Sequence, residues 1–160
     1  MHSQLKILFS KTPGNEDLST PTYASIDAAG IDLRAAIKEK TLIGPGQRLL
    51  IPTGLKLMLP KGFEGQVRPR SGMALKHGIT VLNSPGTIDA DYRGEIGVLL
   101  INHGEKSYQV SRDQKIAQLI VSPVTKVALE YTESLPNTDR GTGGFGSTDT
   151  TPPANRSTPN

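Results

Sequence analysis

The chain has no cysteine and no tryptophan among its 160 residues. Without thiols there can be no disulfide, no thiolate nucleophile and no cysteine-ligated zinc. Aromatic residues make up only 4% of the chain, too few for a platform on which successive nucleic-acid bases would stack. Lys and Arg outnumber Asp and Glu by 18 to 15, with a formal charge of +3 and a pI near 9.2. The cations are scattered and form no basic tract, so an anionic ligand is expected and stable nucleic-acid binding is not. No apolar run approaches the roughly 18 to 20 residues of a membrane span. Met1-His2-Ser3-Gln4 carries no basic segment leading into an apolar one, so neither a secretory leader nor a membrane location is expected. A cytoplasmic protein fits these absences.

What is present reads as many short strands in one domain. Leu5, Ile7 and Phe9 alternate, as do Leu55, Leu57 and Leu59, the pattern of half-buried strands. Ile79 to Leu82 and Ile96 to Ile101 are apolar enough for central strands, and Lys115 to Val121 and Lys126 to Tyr131 follow as further strands. Gly44-Pro45-Gly46, Pro60-Lys61-Gly62 and Asn102-His103-Gly104 punctuate them as turns. The pattern predicts an all-β sandwich or barrel with one short helix, capped by Ser71 and stopped at Gly78. From Thr138 the composition turns to Gly, Thr, Ser, Pro and Asn, which cannot bury enough surface to order itself unaided. The expected division is a core over 1–137, a glycine-rich lid over 138–149 and a disordered tail over 150–160.

Chemistry concentrates in Gly86-Thr87-Ile88-Asp89-Ala90-Asp91-Tyr92-Arg93-Gly94, directly after Leu82-Asn83-Ser84-Pro85. A structural hairpin needs the glycines and the proline, but not two carboxylates, a tyrosine and an arginine. Four further segments accompany it: Ala29 to Ala35, Pro69 to Ala74, Arg112 to Leu119 and Arg140 to Thr148. The last contains Gly141-Thr142-Gly143-Gly144-Phe145-Gly146, formally a G-x-G-x-x-G. That pattern must open a helix to bind a dinucleotide, and Ser147-Thr148-Asp149-Thr150-Thr151-Pro152-Pro153 cannot start one.

In this order, the five segments resemble the motif set of the trimeric dUTP pyrophosphatases. The resemblance implies a jelly-roll-like β-barrel, a homotrimer with active sites shared between subunits, and Mg²⁺-dependent hydrolysis of dUTP to dUMP and pyrophosphate. That reaction limits uracil in DNA and supplies dUMP for dTMP synthesis. It also implies that Asp89 activates the attacking water, with a structural role for Asp91. Local sequence alone favours Asp89 as a turn-stabilising carboxylate. On an extended segment Asp91 would share the face of Asp89.

Tyr92 is expected against the deoxyribose, where a ring leaves no room for a 2′-hydroxyl; a core tyrosine is the other reading. Asn83 and the main chain of Gly86, Thr87 and Ile88 are candidates for reading uracil, although Asn83 also suits a plain turn. A mismatched pairing edge leaves buried polar groups unpaired, which discriminates by roughly 10⁴ to 10⁵. Arg70, Ser71 and Gly72 combine a forked cation, a hydroxyl and close-approaching amides, a phosphate-binding set; a simple helix cap with a solvated arginine is the alternative. Gln118 interrupts an apolar strand and wants a partner, the α-phosphate region by resemblance or solvent at an edge. Asp32 defaults to solvent; by resemblance it holds a magnesium water or orients neighbouring groups, since Mg²⁺ keeps several waters and needs no protein cage. In the lid, Phe145 would stack on uracil while Arg140, Ser147 and Thr148 meet the distal phosphates, and Gly146 is a further substrate-binding candidate. The family more often continues Ser-Thr-Gly where this chain has Asp149. A dCTP deaminase on the same scaffold would need an additional catalytic glutamate motif, and a non-catalytic nucleotide sensor would be expected to lack Asp89 or the tail.

Overall fold

Short strands separated by tight turns put the apolar residues of one face after another onto a common core. The structure, a computed structural model, describes residues 5–145, and its chain divides into units Met1–Thr125 and Lys126–Asn160. The first unit holds β1 (Leu8–Lys11), β2 (Ile31–Arg34), β3 (Thr41–Ile43), β4 (Arg48–Pro52), β5 (Leu55–Met58) and β6 (Phe63–Arg68), then α1 (Ser71–His77). It continues with β7 (Ile79–Val81), β8 (Gly86–Ile88), β9 (Gly97–Asn102), β10 (Tyr108–Val110) and β11 (Lys115–Pro123). Their order is β2-β11-β6-β8 in one sheet, β4-β9-β7 in a second, and the pairs β1-β5 and β3-β10. Every named pairing is antiparallel. The all-β barrel architecture with one helix is the expected one.

β9 shows how sequence produces the packing. Val98, Leu100 and Asn102 point inward while Gly97, Leu99 and Ile101 are half-buried, the period-two alternation of a strand. Leu33, Ile43, Ile51, Ile79, Ile96, Val98, Leu100, Ile116 and Leu119 form the centre of the core. Each such burial contributes about 1.5–3 kcal/mol. Asn102 is fully buried and polar, and its amide donates to the Ile43 carbonyl at 2.8 Å and the Lys106 carbonyl at 2.9 Å.

Four local expectations change. β1 starts at Leu8, so Leu5 and Ile7 precede it, and Phe9 is exposed and not half-buried. β7 lies at a sheet edge, not its centre; Ile79 and Val81 are buried because the sheet face is covered, which hydrogen-bond order does not dictate. Arg70, with φ −96° and ψ 126°, is the N-cap residue, and no side chain caps the helix. Ser71 is therefore its first helical residue. The stop at Gly78 is as expected: the glycine has φ 66°, and a Cβ there would collide with the main chain of Gly104. Lys126 to Tyr131 is not a strand; Val127, Leu129 and Tyr131 are exposed, and among the described residues no strand pairs with them. Alternation stabilises a strand only when its backbone is paired and one face is covered.

Taken by itself, the second unit has no helix or strand among its described residues. Near its end, the Gly141 amide donates to the Thr138 carbonyl at 2.9 Å and the Gly143 amide to the Arg140 carbonyl at 3.0 Å.

Candidate active site

The four-stranded sheet sets side by side the residues of a cavity of about 570 Å³. In its register Gln118 on β11 faces Asp32 on β2 and Arg68 on β6. From Arg68 the chain passes through Pro69 to Arg70, Ser71 and Gly72 at the start of α1. Lys115 and Gln118 both line the cavity, although residues three apart on a regular strand face opposite ways. The register shift between Lys115 and Ala117 removes that conflict. A bulge adds one residue to β11, so Ile116 and Ala117 are both buried and the flanking polar side chains reach the same cleft.

Asp32 is the hinge of this cluster. Its Oδ1 lies 3.0 Å from Arg70 Nη1 and its Oδ2 lies 2.6 Å from Lys115 Nζ. The Asp32 side chain is only 13% exposed, so its expected solvent exposure gives way to a shielded carboxylate held between two cations. Arg70 Nη1 is buried and has no aligned hydrogen-bond acceptor, which leaves a donor wanting a partner. Gln118 donates from Nε2 to the Pro69 carbonyl at 3.0 Å. A Cβ on Gly30 would collide with Gln118 Oε1, so Gly30 is what lets the glutamine lie across β2. The Arg70 carbonyl takes the amides of Met73 and Ala74, each at 3.1 Å. The amides of Ser71 and Gly72 have no acceptor among the described residues, as the first turn of a helix requires. Forked cation, hydroxyl and free amides together suit phosphate oxygens.

A second cavity, of about 330 Å³, is lined by Asn83, Gly86, Thr87, Ile88, Asp89, Tyr92 and Glu95, with Val67 and Leu99 among its apolar walls. β8 fastens its floor to β6 through the Val67–Gly86 and Gly65–Ile88 pairs. Asp89 to Tyr92 is a turn, closed by the Tyr92 amide donating to the Asp89 carbonyl at 3.1 Å. Asp91 therefore does not share an extended face with Asp89; the turn breaks the two-residue alternation. Asp89 is exposed, and its carboxylate takes no hydrogen bond and no salt bridge from any described residue. The turn is closed by main chain, not by that carboxylate. Arg93, the nearest cation in sequence, donates from Nη1 to the Ala90 and Tyr92 carbonyls at 2.7 and 2.8 Å. Tyr92 is 43% exposed, with its hydroxyl donating to the Glu95 carbonyl at 2.9 Å. It is thus a cavity wall and not a core tyrosine.

The two cavities share no lining residue. One collects Asp32, Arg70, Ser71, Gly72 and Gln118; the other collects Asn83, Gly86, Thr87, Ile88, Asp89 and Tyr92. In the second unit, Arg140 Nε donates to the Gly143 carbonyl at 2.9 Å and Phe145 is fully exposed. Gly146, Ser147 and Thr148 lie outside the described residues. Lys115, Lys76 and Tyr108 in the first cavity and Glu95 in the second were not singled out from sequence. Lys115 sits inside a motif, and the strand bulge that aims it has no sequence signature of its own.

Just before β11, Arg112 and Asp113 clasp the loop that precedes β2. Arg112 Nη2 lies 2.5 Å from Asp17 Oδ1, and Asp113 accepts from the Ser19 amide at 3.0 Å and the Ser19 hydroxyl at 2.6 Å. The hydrogen bond from Arg112 holds the Asp17 carboxyl below its ordinary range. Burial raises Asp113, but the Ser19 hydrogen bonds and the Arg34 charge outweigh it and leave that carboxyl lowered as well.

A dUTPase family model matches residues 16–149. The chain is 55% identical over 150 residues to the deoxyuridine 5′-triphosphate nucleotidohydrolase of Methylocella silvestris, covering 92% of this chain and 94% of that protein. It is 50% identical over 147 residues to the protein of that name from Wolbachia sp. subsp. Drosophila simulans, covering 91% and 96%. In fold it is similar to the dUTPase of Staphylococcus bacteriophage 80alpha with dUpNHpp, at TM-score 0.79 and 24% identity over 89% of this chain and 97% of that one. It is also similar to a variant dUTPase from phage phi11 of S. aureus that coordinates a structural Mg(II) ion, at TM-score 0.72 and 22% identity over 81% and 97%. With the family model spanning both cavities, and half or more of the positions shared with named relatives along nearly the whole length, the chain belongs to the dUTPase family.

Proposed function

We propose that Asp89 is the general base for hydrolysis of dUTP to dUMP and pyrophosphate. The reaction itself, and the chain's standing as an enzyme, come with membership of the family. Water oxygen bonds to the α-phosphorus, the bond from that phosphorus to the bridging oxygen breaks, and pyrophosphate leaves as Asp89 takes the water's proton. The observation that carries this role is the unpartnered Asp89 carboxylate on the rim of a cavity that suits a nucleoside. A carboxylate already bound by cations is a weaker base, because the cations favour its ionised form.

In the same reading Asn83 and the main chain of Gly86, Thr87 and Ile88 hold uracil, and Tyr92 walls off the 2′ position. Arg70, Ser71, Gly72 and Gln118 hold phosphates. Arg140, Phe145, Gly146, Ser147 and Thr148 serve as a lid, with 138–149 the lid and 150–160 outside it. One substrate cannot fill two cavities that share no residue unless something joins them, which supports a homotrimer whose subunits each contribute part of a site. A cytoplasmic location fits the cysteine-free chain, and no helix among the described residues is long and apolar enough to cross a membrane.

Magnesium fits this chain only indirectly. Among the described residues no three His, Asp or Glu side chains cluster as a cage, and both Asp32 oxygens already face cations. Asp32 would hold the ion through a coordinated water, with the triphosphate supplying the direct oxygens. When bound, the ion would offset part of the triphosphate's negative charge. Asp32 meanwhile orients Arg70 and Lys115 toward the phosphates.

Pyrophosphate release measured side by side on dUTP, dCTP, dTTP and UTP with Mg²⁺ tests this function. Release from dUTP alone supports it; equal rates on dCTP or UTP contradict the assigned base and sugar contacts.

A further inference from the structure

Glu95 is half-buried, lines the cavity that holds Asp89 and Tyr92, and makes two contacts, one through its main chain and one through its side chain. Its main-chain carbonyl accepts the Tyr92 hydroxyl at 2.9 Å. Its side-chain Oε1 accepts the Gly54 amide at 2.7 Å. The Gly54 end is firmly anchored. Its carbonyl accepts the Thr12 amide at 2.8 Å, while the neighbouring Ile96 carbonyl takes the Thr53 amide at 3.2 Å and the Thr53 hydroxyl at 2.7 Å. The Ile96 amide donates to the Leu55 carbonyl at 2.8 Å, and Ile96 itself is fully buried. At the other end, the Tyr92 ring lies against Gly94, where a Cβ would collide with its hydroxyl and ring.

We propose that Glu95 is a positioning residue for sugar selection, coupling the Tyr92 ring to the turn between β4 and β5. The inference rests on the reading that Tyr92 walls off the 2′ position. A ring excludes one hydroxyl only if it cannot swing aside, because a wall that yields discriminates weakly. An exposed tyrosine at a turn would ordinarily be free to rotate. Here the hydroxyl is tied to a carbonyl, and the residue bearing that carbonyl is fixed by its carboxylate to a main-chain amide. A charge-assisted bond of that kind is among the stronger ones a side chain makes. Sequence hides the device because Glu95 follows the motif, and its partner Gly54 is 41 positions away.

The test compares kcat/KM on dUTP and on UTP for the full chain and its variants. Tyr92→Ala tests the underlying reading, and a dUTP/UTP ratio unchanged from the parent would remove Tyr92 from the sugar wall and this inference with it. If that ratio falls, Glu95→Ala and Tyr92→Phe are each expected to lower it about tenfold, the scale of one lost hydrogen bond. Glu95→Gln keeps an acceptor oxygen and is expected to restore the ratio to within about threefold of the parent, roughly the change one weakened bond allows. The double variant Glu95→Ala with Tyr92→Phe should lose no more than the larger single loss, because both act on one tether. A parental ratio in Tyr92→Phe, or in Glu95→Ala with only thermal stability reduced, would overturn the positioning role. So would a loss in Glu95→Gln as large as that in Glu95→Ala. Should Glu95→Ala fail to fold, Tyr92→Phe and Glu95→Gln decide by the same criteria.

Discussion

Asp32 and Asp89 are carboxylates lining cavities in the same unit, yet their surroundings are opposite. Asp32 is shielded, with a cation against each oxygen. Asp89 is exposed on a turn closed by main chain, with no partner among the described residues. The first arrangement orders two long basic side chains before any ligand arrives, reducing the entropy that binding must overcome. The second leaves an acceptor open to water. On the proposed reading, the charges that would hold the substrate are built in pairs, and the group assigned to take a proton is kept out of them.

Deleting the tail tests whether two such cavities suffice. Stopping the chain after Asn137 should leave a folded assembly with kcat/KM on dUTP about 100-fold lower, the scale of losing alignment at the reacting atoms. Parental activity in the truncated protein would mean the two cavities need no lid. Asp32→Asn sharpens the contrast from the other side. It removes the charge that orders Arg70 and Lys115, so KM for dUTP should rise about tenfold while kcat changes by less than about threefold, the signature of lost uniform binding. A fall in kcat with KM unchanged would instead put Asp32 in the chemical step.

The smallest effect belongs to the acid side of stability. Asp17 and Asp113 have lowered carboxyl pKa values when folded. Their contribution is complete above the unfolded value of roughly 4 and is lost as pH falls through the folded values. Thermal midpoints measured from about pH 6 down to pH 3 should fall less steeply in Asp113→Asn than in the parent. Both carboxylates are solvent-accessible, so the difference will be modest. Identical slopes would show that the clasp on the loop before β2 adds nothing.

Much of this was legible in the sequence because it depends on neighbours along the chain. Strand alternation in β9, the helix stop at Gly78 and the crowding of Asn83 to Tyr92 around one turn are all local. The Asp32–Arg70–Lys115 cluster was not, because it exists only once β2 and β11 pair and a bulge redirects Lys115. The failures have equally physical causes. Val127, Leu129 and Tyr131 carry a strand pattern without a paired backbone among the described residues. Asp91 was assigned a face by a periodicity that a turn abolishes. Ser71 resembles a cap, but the backbone turns helical one residue earlier than that role allows.

The central claim is that Asp89 takes the proton from the attacking water, and Asp89→Asn tests it most directly when binding and turnover are measured on the same preparation. Affinity for dUTP should stay within about threefold of the parent while kcat for pyrophosphate release falls by about 10³, within the usual range for a lost general base. Parental turnover in Asp89→Asn, or a loss fully explained by failure to bind dUTP, would contradict it.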